Sequence, residues 1–202
     1  MSKIYEEVSR ENDGETTPFI KLLNFSKTIT MNCITGYLES KIVSYLMNLH
    51  MDPRPIYFSR HGESMYNHED RIGGDPDLTE RGYAYAKKLN TFFQGELKAG
   101  KINRNTKFFT STLKRALITS NHVQIGVKPL SVKILDEINA GICDGLTYAE
   151  LDEKYPLDAK ERKTDKLRYR YPRGESYLDL IHRVEPILFE IERSRDPVIV
   201  VK

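Results

Sequence analysis

The chain has 202 residues, which allows one compact domain, or one domain with part of another. Its 31 basic and 29 acidic residues leave a formal charge of +2, so the electrostatic case for a nucleic-acid or polybasic membrane protein falls away. A hydrophobic share of 39% suits a buried core rather than wholesale disorder, while two cysteines, Cys33 and Cys143, cannot build a disulfide framework, and no Cys/His cluster has zinc spacing.

Residues 1–16 are polar, lack periodicity and contain the turn signal Asn12-Asp13-Gly14, so a disordered tail is expected there. The segment is neither a secretory signal nor an arginine-rich transit peptide, and no run in the chain approaches the ~18 apolar residues of a membrane helix. A reduced, cytoplasmic setting without membrane partners is the expectation. Two short segments of mixed β-branched and apolar residues follow, 18–24 and 28–34, both consistent with strands. From Tyr37 to Met51 the period becomes helical, with Leu38, Ile42, Tyr45, Leu46 and Leu49 on one face. Pro53 and Pro55 then mark a boundary.

Beyond it, strands and helices alternate. PIYFS (55–59) reads as a buried strand, 81–93 as a helix, 106–111 as a strand and 112–123 as the helix after it. The segment 131–138 begins as a strand, and 147–155 is a short helix. The longest helix covers 175–193, with Pro186 inside it, where a kink is expected. PVIVV (197–201) is an uninterrupted apolar strand of the kind found in parallel sheets covered on both faces. The alternation predicts an α/β domain from about residue 54 onward.

The sharpest chemical signal is Arg60-His61-Gly62-Glu63-Ser64, set directly after the strand PIYFS. A strand end puts Arg60 and His61 at the binding edge of such a sheet, and Gly62 permits a tight turn and close backbone approach to a ligand. A neutral imidazole can attack phosphorus in line, while a neighbouring guanidinium grips phosphoryl oxygens through its fork. A bare Arg-His pair would more often be structural. The following Gly-Glu-Ser at a strand end turns the reading toward chemistry.

These residues resemble the signature of the histidine phosphatase (phosphoglycerate mutase-like) superfamily, Arg-His-Gly after the first strand. Asn67, IGGD (72–75), Leu78, Arg81-Gly82, TSTLKRALITS (110–120), LDEINAGICDGLTYAEL (135–151) and RYRYPRGESYLDLIHRVEPIL (168–188) narrow the likeness. They are similar to the bisphosphatase half of the 6-phosphofructo-2-kinase/fructose-2,6-bisphosphatase family. The resemblance implies a three-layer α/β/α, phosphoglycerate mutase-like sheet over 54–202, incomplete at the C-terminus, preceded by a kinase remnant over 17–53. It implies hydrolysis of fructose 2,6-bisphosphate to fructose 6-phosphate through a phosphohistidine on His61, with no metal. Arg60, Asn67 and Arg115 would hold the transferred phosphate, and Gly73 would offer a backbone contact. Glu137 would protonate the departing O2 of the sugar, and Tyr148, Arg162, Lys166 and Tyr177 would hold the sugar and its 6-phosphate.

The residue types fit that chemistry. Phosphoryl transfer needs charge neutralised at the equatorial oxygens and a nucleophile in line, and a leaving alkoxide needs a proton from an acid. Arg162 and Lys166 would face one way if their stretch is helical, although KERKTDK (160–166) could equally be a solvated basic face.

The same resemblance implies a second active-site histidine just after PVIVVK, and Lys202 falls immediately before it. The 202 residues by themselves are therefore expected to hydrolyse fructose 2,6-bisphosphate poorly or not at all. No GxxxxGKS/T loop occurs, so kinase activity is not expected, and ATP and Mg²⁺ would serve only an absent kinase part. A homodimer is possible for a full-length relative. Two alternatives stay open, a phosphoglycerate mutase-like enzyme and a non-catalytic sugar-phosphate- or partner-binding fragment.

Overall fold

In the computed structural model, residues 17–23, 28–49 and 52–202 are described. The tail expected over 1–16 lies outside them. The backbone divides into two units, one from Met1–Pro53 with Phe189–Arg195, the other from Arg54–Leu188 with Asp196–Lys202.

In the first unit, β1 (Phe19–Leu23) pairs antiparallel with β2 (Thr28–Asn32), Phe19 opposite Asn32 and Leu23 opposite Thr28. A helix follows, α1 (Tyr37–Asn48), with the Glu39 carboxylate accepting from the Gly36 N–H at its start. The apolar face expected on it is covered only in part. Val43 is buried, whereas Leu38 is 70% exposed and Ile42 and Tyr45 are exposed too.

The second unit is built on a parallel sheet of β3 (Ile56–Ser59), β4 (Lys107–Thr110), β5 (Leu130–Ser131) and β6 (Val198–Val201), in the spatial order β3-β6-β4-β5. All four residues of β6 are buried. Strand side chains alternate between faces, so a fully buried strand needs cover on both. That is why the sequence there is VIVV without a polar residue. Ile199 and Val201 meet Phe93, Ile102, Phe108, Val123 and Ile125 in one continuous core. Phe93 comes from α3 (Glu80–Lys98), whose first turn is capped by Thr79, its Oγ1 accepting from Gly82 N at 3.1 Å. The short α2 (Met65–His68) precedes it, and α4 (Lys114–Asn121) follows β4. With helices flanking the parallel sheet, the layers are α/β/α.

The segment 131–138 begins as a strand, as expected, but leaves it at once. Val132 N still donates to Thr110 O at 2.8 Å, and then the backbone winds into a 3₁₀ turn at Lys133–Leu135. A second 3₁₀ turn covers Gly141–Cys143. Next come α5 (Tyr148–Lys154) and α6 (Pro156–Thr164), a helix not expected from the sequence. Thr147 and Glu150 form a reciprocal cap at α5, with Glu150 N to Thr147 Oγ1 at 3.1 Å and Thr147 N to Glu150 Oε2 at 2.8 Å. Pro156 opens α6, where its missing N–H costs nothing. The last helix, α7 (Tyr177–Arg193), runs on through Pro186. Ile72, Ala140, Cys143, Leu151, Ala159, Tyr169 and Tyr171 make a separate core under α5 and α6. Among the described residues no helix is long and apolar enough to cross a membrane.

Candidate active site

Parallel strands deliver their carboxyl ends to one edge, and in open α/β sheets that edge is where ligands bind. Here β3 leads into Arg60 and His61, β4 into Ser111, and β6 into Lys202. A cleft of about 410 Å³ is lined by these four and by Arg115 and Glu137 among others. A second, of about 490 Å³, shares Arg115 and Glu137 and adds Gly73, Gly74 and Arg183. A third, of about 350 Å³, shares Arg60 and His61 and adds Asn67 and Arg81.

His61 is hung on the sheet. Lys202 N donates to Ser59 O at 3.0 Å and His61 N donates to Lys202 O at 2.6 Å, so the ladder between β3 and β6 continues past both strands. The next residue turns sharply. Gly62 N donates to Thr119 Oγ1 at 2.9 Å, and that hydroxyl donates to Arg115 O at 2.7 Å, tying the turn to α4. A Cβ on Gly62 would lie 2.4 Å from Gly82 O, and one on Gly82 would lie 2.2 Å from Glu63 O. The two glycines let the His61 turn lie directly on the start of α3.

His61 is 9% exposed, and its two ring nitrogens have different tasks. Nδ1 lies 2.6 Å from Gly62 O, so it carries the proton and donates. Nε2 lies 3.1 Å from Arg115 Nε, which can only donate, so Nε2 presents its lone pair. Burial holds the imidazole below its ordinary pKa, and Arg115 and Arg60 push the same way against a raising hydrogen bond to Gly62 O. The result is a neutral ring with a free base at Nε2.

Arg115 is 2% exposed and is the hub of the site. Besides Nε on His61, Nη1 donates to Gly74 O at 2.6 Å and Nη2 to Glu137 Oε2 at 2.6 Å. The guanidinium thus spans the nucleophile and the carboxylate. Glu137 is half-exposed, its side chain 49% accessible. Gly74 and Gly73 adopt positive φ, +69° and +64°, and Gly74 N donates to Asp144 Oδ1 at 2.7 Å, which shapes the loop that presents its carbonyl to Arg115. Burial also lowers Lys202, partly countered by Glu137 and other acids nearby.

The sequence-derived candidates fall into two groups. His61, Arg60, Arg115, Glu137, Gly73 and Asn67 share the three adjoining clefts. Asn67 Oδ1 accepts from Ser64 N at 3.1 Å within the cap of α2, so its Nδ2 is the end this bond leaves unused. Tyr148, Arg162, Lys166 and Tyr177 form a second cluster. The Arg162 guanidinium lies 5.1 Å from the Tyr148 ring centre, and Lys166 Nζ lies 5.7 Å from that of Tyr177. Arg162 and Lys166 do not share a helix face, because α6 stops at Thr164 where Asp165 turns out of helical geometry.

Several participants were not picked out from the sequence. Tyr171 Oη accepts from Arg162 Nε at 2.8 Å, and burial raises this phenol despite the guanidinium, so it stays neutral. The signal was the alternation Arg168-Tyr169-Arg170-Tyr171, which buries both tyrosines and exposes both arginines. Lys202 and Arg183 were also missed; nothing local to either residue marks it. Of the other described histidines, His122 donates from Nδ1 to Ile118 O at 2.8 Å and stacks edge-on with Tyr83, while His68 and His182 are exposed. Among the described residues no group of three or more His, Cys, Asp or Glu could hold a metal ion.

Comparison with known proteins places this geometry. The sequence profile of the Histidine phosphatase superfamily (branch 1) matches residues 56–202, and that of 6-phosphofructo-2-kinase matches residues 1–53. A 6-phosphofructo-2-kinase/fructose-2,6-bisphosphatase of Arabidopsis thaliana is 46% identical over 98% of this chain and 26% of its own length. The fructose-2,6-bisphosphatase of Saccharomyces cerevisiae is 46% identical over 98% of this chain and 42% of its own length. The chain thus spans well under half of these curated relatives. Among solved structures, YhfR of Bacillus stearothermophilus superposes with a TM-score of 0.63 at 29% identity, covering 73% of this chain and 72% of that one. An α-ribazole-5'-P phosphatase candidate of Escherichia coli gives 0.64 at 21% identity, 74% of each chain covered, and shows the fold alone. With that profile across the whole sheet and its Arg-His-Gly turn in place, the chain belongs to the histidine phosphatase superfamily.

Proposed function

We propose that this site transfers the 2-phosphate of fructose 2,6-bisphosphate to His61 and then to water, as the bisphosphatase part of a bifunctional 6-phosphofructo-2-kinase/fructose-2,6-bisphosphatase. The observation that carries the reading is the fixed tautomer of His61, Nδ1–H on Gly62 O and Nε2 bare toward Arg115. In the first step the Nε2 lone pair attacks phosphorus and the P–O2 bond breaks. Arg115 re-aims its N–H groups from His61 and Glu137 onto the equatorial oxygens, with Arg60 and Asn67 beside them. O2 leaves with the bonding electrons and takes a proton from the protonated form of Glu137, which the incoming anionic phosphate displaces from Arg115, releasing fructose 6-phosphate. In the second step water attacks phosphorus, one of its protons passes to the Glu137 carboxylate, the P–Nε2 bond breaks with its electrons returning to His61, and inorganic phosphate leaves. His61, Arg60, Asn67, Arg115 and Glu137 supply these groups, whereas the second active-site histidine that the resemblance implies is not among the 202 residues; the reading calls on no metal or organic cofactor.

The cluster of Tyr148, Arg162, Lys166 and Tyr177 is the proposed hold on the sugar and its 6-phosphate. Arginine and lysine supply charge there, while the tyrosines supply ring faces and hydroxyls. Cys33 and Cys143 form no disulfide, which suits a cytoplasmic setting.

Single-turnover mixing with fructose 2,6-bisphosphate labelled at the 2-phosphate tests the reading. The expected product is an acid-labile phosphate on His61, absent in His61→Ala and not formed at comparable rate from 3-phosphoglycerate. Equal labelling of His61→Ala, or preference for 3-phosphoglycerate, would refute it.

A further inference from the structure

Glu137 stands on a loop with little regular structure, between the 3₁₀ turn at Lys133–Leu135 and the one at Gly141–Cys143. Its own side chain is half-exposed and touches Arg115, so its placement has to come from the backbone beneath it. That backbone is gripped from α7. Arg183 Nη1 donates to Ile134 O at 2.8 Å and to Lys133 O at 3.3 Å, and Nη2 donates to Asp136 O at 3.0 Å and to Glu137 O at 3.4 Å. The guanidinium is itself locked by Glu175, with Nε to Oε1 at 2.8 Å and Nη2 to Oε2 at 3.0 Å. Glu175 also accepts from Asn139 N at 2.9 Å and donates its own N–H to Asn139 O at 2.8 Å. On the opposite side the Asp136 carboxylate accepts from Ser111 Oγ, Thr112 N and Thr112 Oγ1, each at 2.7 Å. Burial works against ionised Glu175, but Arg183 and the Asn139 N–H together outweigh it and hold the carboxyl below its ordinary range.

We propose that Arg183, fixed by Glu175, is the positioning residue for Glu137: it gathers the carbonyls of the acid-bearing loop and so sets where the proton donor stands relative to Arg115 and His61. This rests on the reading of Glu137 as the acid in phosphoryl transfer. A planar guanidinium with five N–H donors suits the task, since it meets a carboxylate on one edge and several carbonyls on the others. Lysine offers no such fork.

The test separates a misplaced acid from a damaged phosphate site. Phosphoryl transfer to His61 is followed in a single turnover with fructose 2,6-bisphosphate, whose alkoxide needs a proton, and with p-nitrophenyl phosphate, whose phenolate leaves without one. Arg183→Gln should slow the sugar substrate by about 10²-fold, the usual consequence of displacing a catalytic group by an ångström, and slow the aryl substrate at least tenfold less. Arg183→Lys should recover part of the difference, and Glu175→Gln should shift the ratio in the same direction by a smaller factor. Circular dichroism and thermal melts identify variants that have lost the fold, in which case Glu175→Gln carries the comparison. Equal slowing of both substrates, or no slowing of the sugar substrate, overturns the role of Arg183. If the unmutated protein takes phosphate from neither compound, the fructose 2,6-bisphosphate reading falls and this inference with it, a failure recognisable because it precedes any mutation.

Discussion

The protonation state of one ring governs the pH response of the site. Because burial and two arginines lower His61, the free base persists below the ordinary imidazole value near 6.5. Rates of phosphoryl transfer should therefore hold from neutral pH down past about 6.5 before the acid limb appears, and an acid limb above that value would contradict the described environment. Arg115 is the other indispensable side chain. Arg115→Lys keeps one charge but cannot span His61, Gly74 O and Glu137 together, and loss of such a preorganised donor set should cost ~10²–10³ in transfer rate by quench-flow. Gly62 sets a steric limit. Alanine there would drive its methyl against Gly82 O, 2.4 Å from the ideal Cβ position, and the forced backbone shift should cost on the order of 1–3 kcal/mol by denaturant titration.

At the scale of elements, the strand β6 and the cap of α5 carry separable duties. Ile199 is fully buried within the core shared with Phe93 and Phe108, so Ile199→Ala should destabilise by about 2–5 kcal/mol, read from the shift in urea midpoint. Thr147→Ala removes the capping box of α5 and should cost ~1 kcal/mol, with sugar-phosphate binding weakened because Tyr148 is the first residue of that helix. These elements were legible to different degrees. The apolar run 197–201 announced the central sheet, because a strand buried on both faces leaves little choice of side chain, whereas the strand before Arg60, expected to be buried, leaves Phe58 69% exposed. The helix Pro156–Thr164 did not show itself, since its surface is charged and only Ala159 is buried. The strand-like SVKILDEI closes early because Arg183, remote in sequence, collects its carbonyls. Local pattern could place His61 and Arg60 at a sheet edge. Pairing of Arg115 with Glu137 and of Arg162 with Tyr171 depends on tertiary approach, which no local pattern encodes.

At the scale of the larger unit, pH links the site to stability. The folded-state pKa of His61 is lowered, so its contribution is complete above the unfolded value of about 6.5 and is lost as pH falls through the folded value. The carboxylates Asp77, Glu150, Asp165 and Asp179 are lowered by hydrogen bonds to neighbouring groups, and their contribution disappears further down, below the ordinary carboxylate range near 4. Melting temperature should stay level toward pH 6.5, decline gently beneath it and fall steeply in acid. His61→Gln should remove the gentle decline and leave the steep one. A single steep transition in the unmutated protein would contradict the assignment.

The proton on Nδ1 of His61 is held by the carbonyl of the very next residue. The orientation of the nucleophile is therefore set by a local carbonyl, on a turn that Gly82, Thr119 and the Lys202 carbonyl hold in place, with no distant carboxylate required to steer the imidazole. A reactive centre assembled this way is portable: an engineer could graft the turn with its Gly82 and Thr119 supports beside a paired strand of another parallel sheet, and the ring would arrive already aimed.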